Sequence, residues 1–156
     1  MARRWIVVVG VLVVAVGVWW IASSVLSSNE AQIKRTIAGA AKALNERNLP
    51  MFLAFISKDY NDQYGHASRE ALGQSIEAMS KLIKAGSIQV KSIEVKLTGD
   101  KAEATFFVWA QVAADGSPET ELLGQTGSTE RLRLLLKKEP DGWRITNGQR
   151  VESTIQ

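Results

Sequence analysis

The sequence predicts an α+β domain in which three helices pack on a strongly curved, bulged antiparallel sheet, behind one N-terminal transmembrane helix. Three observations support this prediction: an uncharged apolar run near the amino terminus, helical periodicity up to about residue 86, and period-two alternation afterwards. Because the helices precede the strands, we expect them to cover one face of the sheet. We place the anchor and a short linker at residues 1–28 and the folded domain at residues 29–156.

The apolar run covers residues 5–26 and contains no charged side chain. As a helix it would extend about 33 Å at roughly 1.5 Å per residue, which exceeds a hydrocarbon core of about 30 Å. Arg3 and Arg4 precede the run and favour a cytoplasmic amino terminus. We therefore expect a single-pass membrane protein with an extracytoplasmic domain, periplasmic in a Gram-negative cell. The alternative is a cleaved signal peptide, because the small residues at 22–24 also fit a cleavage site.

The net charge gives no reason to expect nucleic acid as a partner. The chain has 19 basic and 16 acidic residues, and two of the basic ones, Arg3 and Arg4, precede the apolar run. The remaining charges nearly balance, whereas nucleic-acid-binding domains are strongly basic. The chain also contains no cysteine, which excludes disulfides, thiolate zinc sites, cysteine nucleophiles and lipid attachment at cysteine.

Apolar residues recur at helical spacing in three segments before residue 87. Asn29 can cap the first helix together with Gln32, and Asn48 ends it. Pro50 suits the first turn of a short second helix. Ser68 can cap a third helix, which Gly86 ends. The apolar positions expected to face the core are Ile33, Ile37, Ala40, Ala41 and Leu44 in the first helix, Met51, Phe52, Phe55 and Ile56 in the second, and Leu72, Ile76, Met79 and Ile83 in the third.

From Ser87 onwards apolar residues alternate with polar ones, as is typical of strands with one buried face. The apolar parity changes after Val90, and this slip predicts a β-bulge near Lys91 and Ser92. Turns are expected at residues 98–101, 115–118 and 140–142, and a bend in the third strand at two glycines. These glycines are Gly124 and Gly127. The expected inward positions are Ile88, Val90, Ile93, Val95 and Leu97, the even residues from Ala102 to Val112, Leu132, Leu134 and Leu136, and finally Trp143 and Ile145.

Two stretches of this sequence resemble nuclear transport factor 2-like domains, the superfamily that includes ketosteroid isomerase and the polyketide cyclases. The first is "AKALNERNLPMFLAFISKDYND", a helix, a polar break and a short helix, and the second is the turn "PDGWRI" before the last strand. By order of elements the match covers about Glu30 to Glu152. The resemblance implies a cone, in which a bent sheet wraps over the helices and a pocket opens at the wide end. Periplasmic subunits of type IV secretion machines and proteins accompanying bacterial lipid-import systems are similar in plan.

The stretch "KDYNDQYGH", residues 58–66, gathers acidic, phenolic and imidazole side chains. If it runs extended, Tyr60, Asp62 and Tyr64 point to one side and form a ligand-binding rim. The resemblance to ketosteroid isomerase implies an aspartate base after the second helix, but Tyr64 takes that place here and Asp62 is the alternative base. Asp62 is otherwise a structural carboxylate that pairs with an arginine or accepts backbone hydrogen bonds near the third helix. His66 is expected to be a loop residue.

No metal or cofactor site is expected. One histidine and no cysteine cannot supply a zinc or facial-triad ligand set. A calcium loop is the other possibility, because four oxygen-bearing residues follow the EF-hand count at positions one, three, five and twelve; they are Asp59, Asn61, Gln63 and Glu70. However, Tyr64 occupies the sixth position, where the loop requires glycine.

The outward positions of the sheet include apolar and arginine side chains, and we expect them to form a contact surface. Its residues are Phe107, Trp109, Leu135 and Arg133, with Arg131 beside them. A second copy of the chain or another protein would bind there; alternatively a terminal segment or the curl of the sheet covers it. The expected function is a non-enzymatic, membrane-anchored binding or scaffold domain for a protein partner or a small apolar ligand. The alternative is an isomerase- or cyclase-like enzyme with Asp62 as general base.

Overall fold

The computed structural model describes residues 28–114, 120–121 and 130–151. The predicted anchor at residues 5–26 lies outside these ranges, as do Gly124, Gly127 and the turn expected at 115–118. Within the described ranges, no helix combines the length and the apolar character needed to cross a bilayer.

The described chain forms three helices followed by an antiparallel sheet, which confirms the predicted α+β class. The helices are α1 (residues 28–45), α2 (Leu49–Ala54) and α3 (Arg69–Leu82). The strands are β1 (Ile83–Thr98), β2 (Lys101–Ala114), β3 (Thr120–Glu121), β4 (Glu130–Glu139) and β5 (Gly142–Val151). The sheet order is β1-β2-β4-β5, and the two-residue β3 pairs with β2. The domain boundary at residue 29 stays a prediction.

Side chains cap the starts of α2 and α3: Asn48, which was expected only to end the first helix, and Ser68, at its predicted position. The side-chain oxygen of Asn48 accepts a hydrogen bond from the Met51 N–H (3.1 Å) at the start of α2. The hydroxyl of Ser68 accepts one from the Ala71 N–H (3.1 Å) before the second turn of α3. Each cap satisfies a backbone donor that has no partner within the helix.

Two helix predictions are wrong. Met51 and Met79 are exposed, at 37% and 48% of their surface, although both were expected to face the core. The third helix ends at Leu82 rather than near Gly86, because the backbone from Ile83 onwards pairs with β2. Pairing with a neighbouring strand overrides the helical period of the apolar residues there.

The predicted strand parity is confirmed. The β1–β2 register shifts between Lys91 and Glu94, and Ser92 has a positive φ of 56°, as expected for a bulge at the parity slip. On β2 the even residues from Ala102 to Ala110 are buried. On β4 and β5 the most deeply buried side chains are Leu136, Trp143 and Ile145.

Glycines inside two helices allow α2 and its following residue to approach closely. A Cβ atom on Gly39 of α1 would lie 2.6 Å from Cζ of Phe55, and one on Gly73 of α3 would lie 3.1 Å from Cδ1 of Leu53. A glycine costs about 1 kcal/mol relative to alanine inside a helix, so packing has to compensate for it. The two contacts show where this compensation arises.

A segment that we call the edge strap, residues 55–64, covers the outer edge of β5. It includes one isolated parallel bridge, between Ile56 and Ile145. Its hydrogen bonds run from Ile145 N to Phe55 O (2.9 Å), from Ser57 N to Ile145 O (2.8 Å), from Asn61 N to Thr146 O (3.1 Å) and from Arg150 N to the Tyr64 hydroxyl (2.9 Å). An uncovered edge would present unpaired backbone groups to other chains, so the strap protects the sheet.

The opposite edge of the sheet is held by one side chain of α1. The Ile88 N–H of β1 donates to Oδ1 of Asn45 (2.7 Å), and Nδ2 of Asn45 donates to the Ile88 carbonyl (2.9 Å). The amide of Asn45 thus satisfies both backbone groups of one edge residue, as a neighbouring strand would. This pair of bonds joins the end of α1 to the sheet.

Candidate functional site

Asp62 lies at the centre of a hydrogen-bond cluster that we call the Asp62 cluster: Tyr60, Asp62, Tyr64 and His66. Oδ1 of Asp62 accepts from the backbone N–H groups of Tyr64 (2.8 Å) and His66 (3.0 Å). Oδ2 accepts from the Tyr60 hydroxyl (2.9 Å) and bonds to Nδ1 of His66 (2.8 Å). Because its side chain is only 3% exposed, these four contacts replace the hydration of the carboxylate.

Local sequence explains this geometry. An aspartate readily accepts bonds from backbone N–H groups two to four residues further along and so closes a turn. The Asp62 N–H also donates to the His66 carbonyl (3.2 Å), which closes the loop from the other side. Gly65 has a φ of +94°, a conformation that side-chain-bearing residues rarely adopt. Asp62 and Gly65 together therefore specify the turn.

The surroundings shift the pKa of two groups. Burial alone would raise the pKa of Asp62, but hydrogen bonds from the His66 side chain, the Tyr60 hydroxyl and two backbone N–H groups outweigh it and lower the pKa below its ordinary value. Burial raises the pKa of Tyr60 far above its ordinary value, and the neighbouring Asp62 carboxylate raises it further. At neutral pH Asp62 is therefore a carboxylate and Tyr60 a neutral phenol.

The expected alternation of the opening stretch holds only as far as Asp62. Tyr60 and Asp62 are both buried, as members of one face. Tyr64, predicted on the same face, is instead 56% exposed, and its hydroxyl accepts from the Arg150 N–H. The turn that Asp62 closes ends the extended backbone, so the rim of three side chains does not form.

An apolar cavity of about 260 Å³ lies between the helices and the inner face of the sheet. All three helices and strands β1, β2, β4 and β5 contribute to its wall. The lining residues are Ile37, Ala40, Ala41, Leu44, Phe52, Ile56, Tyr60, Leu72, Ile88, Val90, Phe106, Val108, Leu132, Leu134 and Ile145. Tyr60 alone among them carries a polar side-chain atom. Apolar walls with one placed polar group are typical of sites for small molecules.

Tyr60 connects the cavity to the Asp62 cluster. Its ring contributes to the cavity wall, whereas Asp62 and Tyr64 are not among the lining residues. The Tyr60 hydroxyl and Cδ2 of Leu134, another lining residue, lie 3.6 Å and 3.4 Å from the point where a Cβ on Gly148 would be. The hydroxyl and this Leu134 methyl group therefore approach the same point of β5.

Among the described residues, no group of three or more histidine, aspartate or glutamate side chains could hold a metal ion. Two of the four residues that follow the EF-hand count make other contacts, Asp59 and Asn61. Asp59 has its carboxylate 4.0 Å from Lys137, and the Asn61 carbonyl accepts from the Asn147 side chain. These contacts serve the edge strap.

The predicted contact surface lies on the outer face of the sheet. Phe107 is 40% exposed, and the guanidinium of Arg131 lies 5.9 Å from its ring centroid. Trp109 and Leu135 are half-buried. Arg133 is 3.2 Å from a carboxylate oxygen of Glu103. The structure thus places the five residues on one face, in the order that strand parity predicts.

The roles of His66 and of the two helical glycines were not predicted from the sequence. His66 was expected to be a loop residue, yet its ring and its N–H both bind Asp62. An aspartate followed three residues later by glycine is a turn signal that would have suggested this contact. Gly39 and Gly73 interrupt strong helical patterns, and an isolated helical glycine often has a packing reason.

Solved structures provide the comparison with known proteins. No protein-family model matches the chain, and no curated protein matches it in sequence. A scytalone dehydratase candidate from Novosphingobium aromaticivorans is similar with a TM-score of 0.73 and 13% identity, over 86% of this chain and 91% of that one. A nuclear transport factor 2-like protein with a cystatin-like fold from the same species gives a TM-score of 0.70 and 15% identity, over 88% and 90%.

A nuclear transport factor 2-like superfamily protein from Salmonella enterica serovar Typhimurium gives a TM-score of 0.69 and 15% identity, over 83% of this chain and 95% of that one. Likeness at such low identity concerns the arrangement of helices and strands and does not transfer an activity. The order of elements, the bulged antiparallel sheet and these superpositions lead to one conclusion: this chain has the nuclear transport factor 2-like fold.

Proposed function

We propose that this chain is a membrane-anchored, extracytoplasmic binding domain that holds a small apolar molecule in its cavity without transforming it. The observation that carries the proposal is the lining of the cavity, which is apolar apart from the phenol of Tyr60. Burying an apolar ligand there is favourable in proportion to the area removed from water. Catalysis would require an acid, a base or an oxyanion donor aimed at the ligand.

The Asp62 carboxylate is poorly suited to act as a base. A general base must reach the proton that it removes, but Asp62 does not line the cavity and four hydrogen bonds already occupy its oxygens. Its lowered pKa also makes it a weak proton acceptor. These features support a structural role for Asp62. Without a base that reaches the ligand, the cavity is suited to binding and not to proton abstraction.

Filling the cavity tests the binding proposal. Ala40 of α1 lines the cavity and is buried, so Ala40→Leu places three more carbons in the ligand's space. Ala78 of α3 is exposed, and Ala78→Leu is the matched control. Naphthalene is titrated into the full-length protein in lipid nanodiscs while methyl NMR shifts of Ile37 and Val108 are followed.

We expect naphthalene to shift both methyl groups in the parent protein and in Ala78→Leu, and to bind at least tenfold more weakly to Ala40→Leu. Equal affinity in all three proteins, or no shift in any of them, would contradict the proposal. Thermal midpoints show that each variant is folded.

An enzymatic function is the second candidate, because the structural neighbours include a scytalone dehydratase candidate and the Tyr60 phenol lies at the cavity. In this alternative Asp62, as general base, acts through Tyr60 on an enolisable ketone or a dehydratable alcohol. Turnover of such compounds by the parent protein that disappears in Asp62→Asn would replace the binding proposal with this one.

We also propose that the outer sheet face binds a second copy of the chain. Its charges are of both signs: Arg133 lies beside Glu103, and Arg131 lies 3.9 Å from Glu94. A face with balanced charge can meet its own copy across a two-fold axis without repulsion. The exposed ring of Phe107 supplies apolar area on this face.

A further inference from the structure

Tyr60 is the residue in which the cavity and the Asp62 cluster meet, and it is the lining residue that carries a polar side-chain atom, its hydroxyl oxygen. The direction of the hydrogen bond that it makes therefore decides which polar group a ligand can offer. A phenol has one proton to donate and can accept as well. Which of these two capacities faces the cavity depends on Asp62.

Asp62 fixes the proton of Tyr60. An ionised carboxylate only accepts hydrogen bonds, so the 2.9 Å contact between Oη of Tyr60 and Oδ2 of Asp62 is donated by the phenol. The other carboxylate oxygen is fixed in place by two backbone N–H groups, those of Tyr64 and His66. The hydroxyl proton of Tyr60 is thus donated to Asp62, and the hydroxyl oxygen can only accept a hydrogen bond from a ligand.

We infer that the cavity selects a small neutral molecule with one hydroxyl group, an alcohol or a phenol, which donates its proton to Oη of Tyr60. This inference rests on the proposed binding function and names the class of ligand. A ketone would place its oxygen against the oxygen of Tyr60, and both would lose hydrogen bonds with water and gain none. A carboxylate would in addition meet the negative charge of Asp62 in an apolar environment.

The size of the ligand follows from the cavity volume. A dry apolar cavity of about 150 Å³ in another protein accepts benzene, so by proportion the cavity of about 260 Å³ accepts about ten non-hydrogen atoms. A monocyclic terpenoid alcohol or a bicyclic phenol has this size. Longer lipids would extend beyond the cavity.

Menthol, menthone and menthane test the inference, because they share one carbon skeleton and carry a hydroxyl, a carbonyl or no oxygen. The full-length protein is held in lipid nanodiscs, and affinities are referred to the free aqueous concentration at dialysis equilibrium. We expect menthol to bind about three- to tenfold more tightly than menthone, the effect of one net hydrogen bond.

Two variants remove or reverse the hydrogen bond between Tyr60 and Asp62 and keep the side chains close to their original size. Tyr60→Phe removes the hydroxyl, and we expect menthol and menthone to bind it equally. In Asp62→Asn the amide oxygen keeps the two backbone N–H bonds, so the amide NH₂ takes the place of Oδ2 and donates to Oη of Tyr60. The proton of Tyr60 is then free for the ligand, and we expect the preference to shift towards menthone.

Asp59→Asn is the matched control, because Asp59 is an exposed aspartate three residues before Asp62. It should keep the preference for menthol.

Equal binding of menthol and menthone by the parent protein, or a menthol preference that persists in Tyr60→Phe, would overturn the inference and leave the binding function intact. Failure of all three compounds, menthane included, to bind would overturn the binding function as well. If Tyr60→Phe does not fold, the outcome for Asp62→Asn decides: an unchanged menthol preference rejects the inference.

Discussion

Asp62 is a carboxylate whose side chain is almost entirely removed from water. Its carboxylate is buried among donors from its own turn, and this lowers its pKa. A group with a lowered pKa in the folded state stabilises the fold above its unfolded pKa of about 3.9. That stabilisation is lost as the pH falls through the still lower folded pKa.

We therefore expect Asp62→Asn to lower the free energy of unfolding by about 1–3 kcal/mol at pH 7, since charge-assisted hydrogen bonds are replaced by weaker ones. The difference from the parent protein should shrink as the pH falls below about 4. Urea titrations at several pH values measure both effects.

The exposed neighbour gives the control for this acid dependence. Asp59→Asn should follow the parent curve at every pH, because a charge exposed to water contributes little. A difference for Asp62→Asn that is constant from pH 3 to pH 7 would show that the carboxylate is not the source of the stability.

At the scale of elements, the contact between Gly39 of α1 and the Phe55 ring limits how the helices pack. Gly39→Ala would ordinarily favour a helix by about 1 kcal/mol, but its Cβ would lie 2.6 Å from the ring. We expect net destabilisation of about 1–3 kcal/mol from the displaced ring. Ala78→Gly, at an exposed position of α3, measures the contribution of helix propensity to stability without a packing contact. A Gly39→Ala protein with a higher thermal midpoint than its parent would refute the packing argument.

The outer sheet face carries a separate prediction. If two copies meet there, Trp109→Glu should raise the dimer dissociation constant at least tenfold, because central aromatic residues dominate interfaces. Sedimentation velocity measures the mass, and the thermal midpoint reports on folding. Because Trp109 is half-buried, Phe107→Glu provides a second, more exposed test. Thr98→Glu, at the exposed end of β1, is the control, and a monomeric parent protein would end the proposal.

The strand elements were predictable and the turn of the opening stretch was not, for a physical reason. Strand parity depends on burial alone, and Ala102, Phe106 and Val108 repeat it without interruption. Tyr64 was misplaced because alternation assumes extended backbone, whereas hydrogen bonds to Asp62 bend the chain. Such bonds depend on side-chain geometry that periodicity does not report.

At the scale of the whole molecule, the cavity could be expected only from the resemblance. Its wall takes one or a few residues from each of seven elements, separated by up to about a hundred positions. No single segment of sequence shows an empty volume, since the same apolar residues would fill a solid core. The helix–sheet arrangement decides between the two.

Membrane topology is the prediction that belongs to the whole chain. We expect alkaline phosphatase fused after Gln156 to be active and the full-length chain to stay with membranes after an alkaline carbonate wash. The uncharged run at residues 5–26 is long enough to span a bilayer, and Arg3 and Arg4 before it favour a cytoplasmic amino terminus. Exchanging both arginines for glutamate should lower the active fraction. An inactive fusion would refute the orientation, and a mature chain beginning near Ser23 would refute the anchor.

The edge strap also bears on the order in which the chain can fold. Its backbone bonds join Phe55 and Ser57 to Ile145, which is synthesised nearly ninety residues later. Closing so long a loop costs entropy before any contact repays it. The bonds between the strap and β5 must therefore wait for the last strand, and a chain that stops before β5 leaves the Asp62 turn without these neighbours. In such a truncated chain we expect proteases that degrade unfolded segments to cleave within residues 55–64, far from the point of truncation.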